Sequence, residues 1–200
     1  MIRSKIAIFS MLATGLLFGT TCSHAQTDTH SHAQTDTHAT PSSASNSAND
    51  LQIPRAMQIE HDTLHSDLVA LTKSGGLTGQ AAQQVAKVLD HHFQKENEYA
   101  LPPLGLLVPL SEGKFDCSMT AVLPMTDKLR AGMPVMLAEH KDIEAAVSDL
   151  KKAATSENNA EGVRFADELA AHAQTEEQVM YPAALLIGLY VKGKAAHCPG

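Results

Sequence analysis

Two short stretches of this sequence carry the same chemical pattern. His92 and Glu96 stand four residues apart, and so do His172 and Glu176. On a helix that spacing sets an imidazole and a carboxylate one turn apart on a shared face. One such step carries little weight. With 11 His and 11 Glu in 200 residues, about 0.6 of them arise at random, and a third, His140 to Glu144, is present. The weight lies in a repeat. Glu60-His61 and Glu139-His140 open the two halves alike, and Leu64 and Leu68 match Ile143 and Val147. From first to second histidine the interval is 31 residues in one half and 32 in the other. Pro54 and Pro134 precede the first histidine of each half, and Pro102 and Pro182 follow the second by ten residues.

Two helices facing each other would bring His92, Glu96, His172 and Glu176 to a common point. His61 and His140, from two further helices, complete four imidazoles and two carboxylates, a set suited to two first-row metal ions. Each metal takes two histidines, both glutamates bridge, and a solvent-derived bridge makes five ligands. A six-coordinate ion then keeps one position open, where dioxygen, peroxide or nitric oxide could bind. Zinc is less apt, because its closed four-ligand sites need no bridging pair. Ferritin-like sites use Glu-x-x-His spacing, which is not found here in paired form.

Each of these side chains also has a plainer reading. His61 and His140 could lie on polar helix faces, and the two His-Glu steps could be local helix pairs. His91 points about 100° from His92 on a helix and is expected in solvent. His65, one turn after His61, is a candidate fifth histidine or supporting group, although Glu144 takes its place in the other half. Tyr99 and Tyr181 could line the pocket, with core packing the expected role. Met57, Met133 and Met136 read as packing.

The elements that must position this set are helical. Aromatics are 4% of the chain and Trp is absent, while Ala, Leu, Met, Gln, Glu and Lys favour helices over strands. Pro54 starts a helix running to about Ser74, with Ile59, Leu64, Leu68 and Leu71 as its apolar stripe, and Gly75-Gly76 ends it. Thr78 caps a second helix running to about Leu101, stopped by Pro102-Pro103. Residues 102–125 form a long connection, part of which packs on the bundle, and Thr126 to Arg130 form a helical turn. A third helix follows Pro134 and runs to about Ala154. A fourth runs from about Asn158 to Tyr181, and Pro182 kinks it into a tail from Ala183 to Val191. The fold class expected is all-α, a four-helix bundle over residues 51–200.

The N-terminus reads as a secretory signal over residues 1–25. Arg3 and Lys5 precede an apolar run from Ile6 to Phe18, and Ser23-His24-Ala25 offers a cut after Ala25. The run is short of the ~20 residues that span a bilayer. Lipid attachment at Cys22 is the alternative, in the poor context Gly19-Thr20-Thr21. Residues 26–50 are polar and expected to be a disordered leader. They continue a tandem duplication whose His30, His32 and His38 could bind metal loosely, or simply form a polar linker. Cleavage removes two cations and no acid, taking the formal charge from −7 to −9. So acidic a chain argues against nucleic acid and anionic membrane surfaces as partners. In an oxidising compartment Cys117 and Cys198 either pair or stay as two thiols.

At Glu60-His61-x-x-Leu64, His92-x-x-x-Glu96 with Pro102, Glu139-His140-x-x-Ile143, and His172-x-x-x-Glu176 with Tyr181-Pro182, the chain resembles the hemerythrin-like family, or HHE cation-binding domain. The motifs span roughly residues 54–190. The resemblance implies an up-down-up-down bundle and a carboxylate-bridged, non-haem di-iron centre. By position its iron ligands would be His61, His92, Glu96, His140, His172 and Glu176. Oxygen-carrying hemerythrins of invertebrates use five histidines; this chain shows four, with His65 the one obvious fifth. The four-His, two-Glu set looks more like bacterial members linked to nitric oxide or iron-sulfur repair, although those work in the cytosol and often carry an extra Cys-bearing segment. The reading that follows is a periplasmic or secreted protein whose two iron ions bind or sense dioxygen or related small oxidants. The alternatives are a di-iron enzyme consuming peroxide or nitric oxide, with an unknown electron donor, and a metal-storage or metal-handling protein.

Overall fold

A computed structural model describes residues 51–198, and the expected signal and polar leader lie outside these residues. Helix α1 (Arg55–Thr72) turns at Lys73–Gly75 into α2 (Gly76–Lys95), which continues as a π-helical turn, Glu96–Ala100. The connection holds a 3-10 turn (Pro102–Leu106), the short α3 (Leu107–Ser111) and a second 3-10 turn (Cys117–Val122). Then come α4 (Leu123–Ser156), α5 (Ala160–Thr175), a second π-helical turn (Glu176–Met180) and α6 (Tyr181–Ala195). No strand occurs among the described residues. Helix α1 packs on α2 and α5, and α4 packs on the same two, closing a four-helix bundle.

Three boundaries differ from the sequence reading. The third helix begins not after Pro134 but at Leu123, with Pro124 in its first turn and the predicted turn Thr126–Arg130 inside it. Pro134 is interior to α4 and exposed, as is Arg130, so the carbonyl that the proline leaves unpaired faces water. Thr78 is a buried residue inside α2 and not its cap. That end is capped from the other hairpin. The Glu157 carboxylate accepts the Leu77 and Thr78 N–H groups at 2.7 and 2.9 Å and the Thr78 hydroxyl at 2.7 Å. Gly76, at φ +60°, makes room for it: a side chain there would run into Glu157. The expected tail after Pro182 is a full helix, α6, whose Ala184, Ile187, Gly188 and Val191 are buried. A Cβ on Gly188 would lie 2.6 Å from Thr126 Cβ, so glycine sets how closely α6 approaches α4.

The connection packs as expected, with Leu104 and Leu106 buried, while Leu107 and Val108 face solvent, as does Ile59 of the predicted α1 stripe. Cys117 and Cys198 are disulfide-bonded, tying the start of the second 3-10 turn to the end of α6.

Buried apolar residues form two clusters. One gathers Leu64, Leu68, Val85, Leu89, Ile143, Leu150, Phe165 and Leu169. The other gathers Leu101, Leu104, Leu129, Met136, Ala184, Ile187 and Val191. Along α2, α4 and α5 the chain passes from one cluster to the other, and His92 with Glu96, His140, and His172 with Glu176 mark each crossing. The candidate site is therefore a polar layer between two apolar ones.

Candidate metal centre

All six residues singled out by spacing are buried, from Glu96 at 0% exposed to His61 at 7%. Nitrogen and oxygen atoms of their side chains converge on two neighbouring points. At the first, His92 Nε2 and His140 Nε2 lie 2.7 Å apart, with Glu96 Oε1 3.2 Å from His92 and Glu176 Oε2 3.3 Å from His140. At the second, His61 Nε2 and His172 Nε2 lie 3.1 Å apart, with Glu176 Oε1 2.9 Å from His172 and 3.6 Å from His61. Glu96 Oε2 reaches this point less closely, 3.9 Å from His61. Each carboxylate thus aims one oxygen at each point. His92, Glu96, His140 and Glu176 form one group able to hold a cation, and His61, His172 and Glu176 another.

A bed of this kind needs positive charge. Glu96 Oε2 and Glu176 Oε1 are buried without a hydrogen-bond partner, and an unpaired buried polar atom costs about 1–3 kcal/mol, more if charged. Protons take up part of the imbalance. Burial and the neighbouring Glu176 charge push Glu96 up. Burial pushes Glu176 up as well, but the facing imidazoles of His140, His172 and His61 outweigh it and take this carboxyl well below the usual range. For His172, burial acts downward and is overridden by Glu176, then by Glu96 and Glu60, so the imidazole rises to about 9. His92 is raised likewise, burial being outweighed by Glu96, Glu139 and Glu176. The orphaned oxygens and the four inward nitrogens fit a pair of divalent cations, which would take the place of these protons.

Outer carboxylates orient the imidazoles. Glu139 Oε2 lies 3.1 Å from His92 Nδ1, and Lys95 binds the other Glu139 oxygen. Glu177 Oε1 lies 2.8 Å from His140 Nδ1. Glu60 Oε1 is 3.2 Å from His172 Nδ1, within ion-pair reach but badly angled, so that this nitrogen has no hydrogen bond. An Nδ1–H turned outward leaves Nε2 free for the centre. His61 instead stacks on Phe93, ring centroids 4.6 Å apart.

Four features escaped the sequence reading, the first being Glu177 beside His140. Glu60 and Glu139 appeared only as repeat markers, yet each faces a histidine of the other half. Tyr181, expected in the core, aims its hydroxyl into the centre and donates to Glu96 Oε1 at 2.5 Å. Both ligand-type glutamates also begin a π-helical turn, a feature frequent at functional sites. The other candidates stay outside. His65, Glu144 and His91 are exposed, although His65 lines a groove that reaches His61 past Asp62, Phe93 and Asn97. Tyr99 turns its hydroxyl to Met136 Sδ at 3.4 Å.

The model of the hemerythrin HHE cation binding domain matches residues 78–184, more than half of the chain. The chain belongs to that family. The match spans five of the six converging residues. His61 of this HHE protein lies ahead of it and is brought in by α1. No curated protein and no solved structure gives a match.

Proposed function

We propose that this HHE protein holds two iron ions on His61, His92, Glu96, His140, His172 and Glu176, in an up-down-up-down bundle, and uses them outside the cytosol to bind or sense dioxygen or a related small oxidant. The observation that carries this reading is the two-sided bed. Four Nε2 atoms form two pairs, and two carboxylates straddle them with oxygens left unsatisfied. Ferrous ions there would supply electrons and an open coordination position to a diatomic or peroxide ligand. The chain itself fixes the imidazoles through Glu139 and Glu177 and excludes bulk water with two apolar layers. The groove at His61 gives a small molecule a short way in. The signal-like pattern expected of residues 1–25 and the Cys117–Cys198 bond support export, because disulfides persist in oxidising compartments. No described helix is long and apolar enough to cross a membrane.

The test is metal analysis with an optical spectrum of the purified protein. Two irons per chain, with near-ultraviolet and visible absorption from a bridged ferric pair, are expected. His172→Ala and Glu176→Ala should each lose at least one iron. A colourless protein holding zinc overturns the oxidant chemistry. Steady consumption of peroxide or nitric oxide with an electron donor, and no stable adduct, would replace binding with catalysis.

A further inference from the structure

The two halves of the centre are not equivalent, and the difference is one side chain. Tyr181 Oη stands 2.5 Å from Glu96 Oε1, 3.2 Å from His140 Nε2 and 3.3 Å from His92 Nε2. It is among the donor atoms of the first point and forms no hydrogen bond with those of the second. The tyrosine is 0% exposed, and its ring stacks on His140 at 5.7 Å and 27°. At the matching place in the other half, ten residues after His92 less one, stands Leu101, a member of the apolar core. The orphaned oxygens complete the contrast. Glu176 Oε1 and Glu96 Oε2, both turned toward His61 and His172, accept no hydrogen bond, whereas Glu96 Oε1, turned toward His92, accepts one from Tyr181.

Backbone geometry explains why a residue five positions after Glu176 can arrive there. At 3.6 residues per turn, position i+5 faces well away from i. The π-helical turn Glu176–Met180 closes i to i+5, which carries Tyr181 round to the face that holds His172 and Glu176. The equivalent turn Glu96–Ala100 does the same for Leu101, which brings no donor.

We infer that Tyr181 is a fifth protein donor to the metal position between His92 and His140, leaving exchangeable coordination to the position between His61 and His172. This rests on the di-iron reading above. The hydroxyl proton now given to Glu96 leaves to solvent as the cation takes the oxygen. A groove reaches each half, past His61 at one and past His140 at the other, so donor number separates them: the His61/His172 position has four protein donors at most, and an incoming ligand binds there.

The experiment loads the purified chain with ferrous iron, oxidises it in air, and reads iron per chain, visible absorption and resonance Raman. Two irons with a phenolate-to-ferric charge-transfer band, whose Raman ring modes shift when the chain carries ring-deuterated tyrosine, are expected. Tyr181→Phe should keep both irons and lose the band, and Tyr99→Phe should keep both irons and the band. The isotope shift in the unmutated chain decides the matter even if Tyr181→Phe folds poorly. Two irons without tyrosinate modes, or modes that survive Tyr181→Phe, overturn this inference and leave the di-iron reading standing. No iron, or one, overturns both.

Discussion

At the scale of single residues, the centre is a balance of charge held by protons until a cation arrives. The raised His172 and His92 must give up protons to a metal, so iron affinity should rise with pH through neutrality toward about 9. Isothermal titration in buffers of differing ionisation enthalpy would read the released protons. The metal-free protein should behave in the opposite sense. His172 is near 6.5 when unfolded and about 9 when folded, so its contribution to stability is complete below about 6.5. That contribution is lost as pH climbs through 9. The melting temperature of the apo form should fall over this window, while that of the iron form should not. Among the supporting groups, Glu139→Ala should weaken iron binding by about 10–100-fold without abolishing it, measured by competition with a chelator. The six inward residues were legible in the sequence because a four-residue step repeated in two halves is a helix-face signature. The supporting carboxylates were not, since Glu60 and Glu139 meet histidines on other helices, and a one-dimensional pattern carries no such pairing.

At the scale of elements, helix existence was legible and helix phase was not. Reading α2 and α5 with a period of 3.6 residues places His and Glu correctly but sends Tyr181 to the wrong face, because nothing in the local composition announced a π-helical turn. Pro134 misled for a related reason. A proline usually marks a helix start, yet at an exposed position in a 34-residue helix water can satisfy what it leaves open. Close packing at Gly188 yields a direct prediction. Gly188→Ala should cost about 1–3 kcal/mol by overpacking against Thr126, seen as a lower denaturation midpoint in urea. Glu157→Ala should lower the melting temperature by uncapping α2, and Glu157→Gln, which keeps an acceptor, should lower it less.

At the scale of the whole molecule, the four-helix class followed from composition and periodicity, while the pairing of Cys117 with Cys198 stayed open because 81 residues separate them. Bonded, they fasten the long connection to the last helix. Reduction should destabilise the protein by about 2–4 kcal/mol, read as a shifted denaturation curve. Iron stoichiometry should be unchanged, since neither cysteine is among the converging donors.

The polar layer between the two apolar clusters has a mechanical meaning. Three of the bundle's helices are gripped on both sides of this layer, and without cations they are joined across it by hydrogen bonds that leave Glu96 Oε2 and Glu176 Oε1 unmet. Such a molecule resembles two half-bodies riveted by what they bind. Amide exchange in the stripped protein should therefore be fastest near the two wide turns and slow toward either flank. Adding iron should quench the middle and leave the flanks as they were.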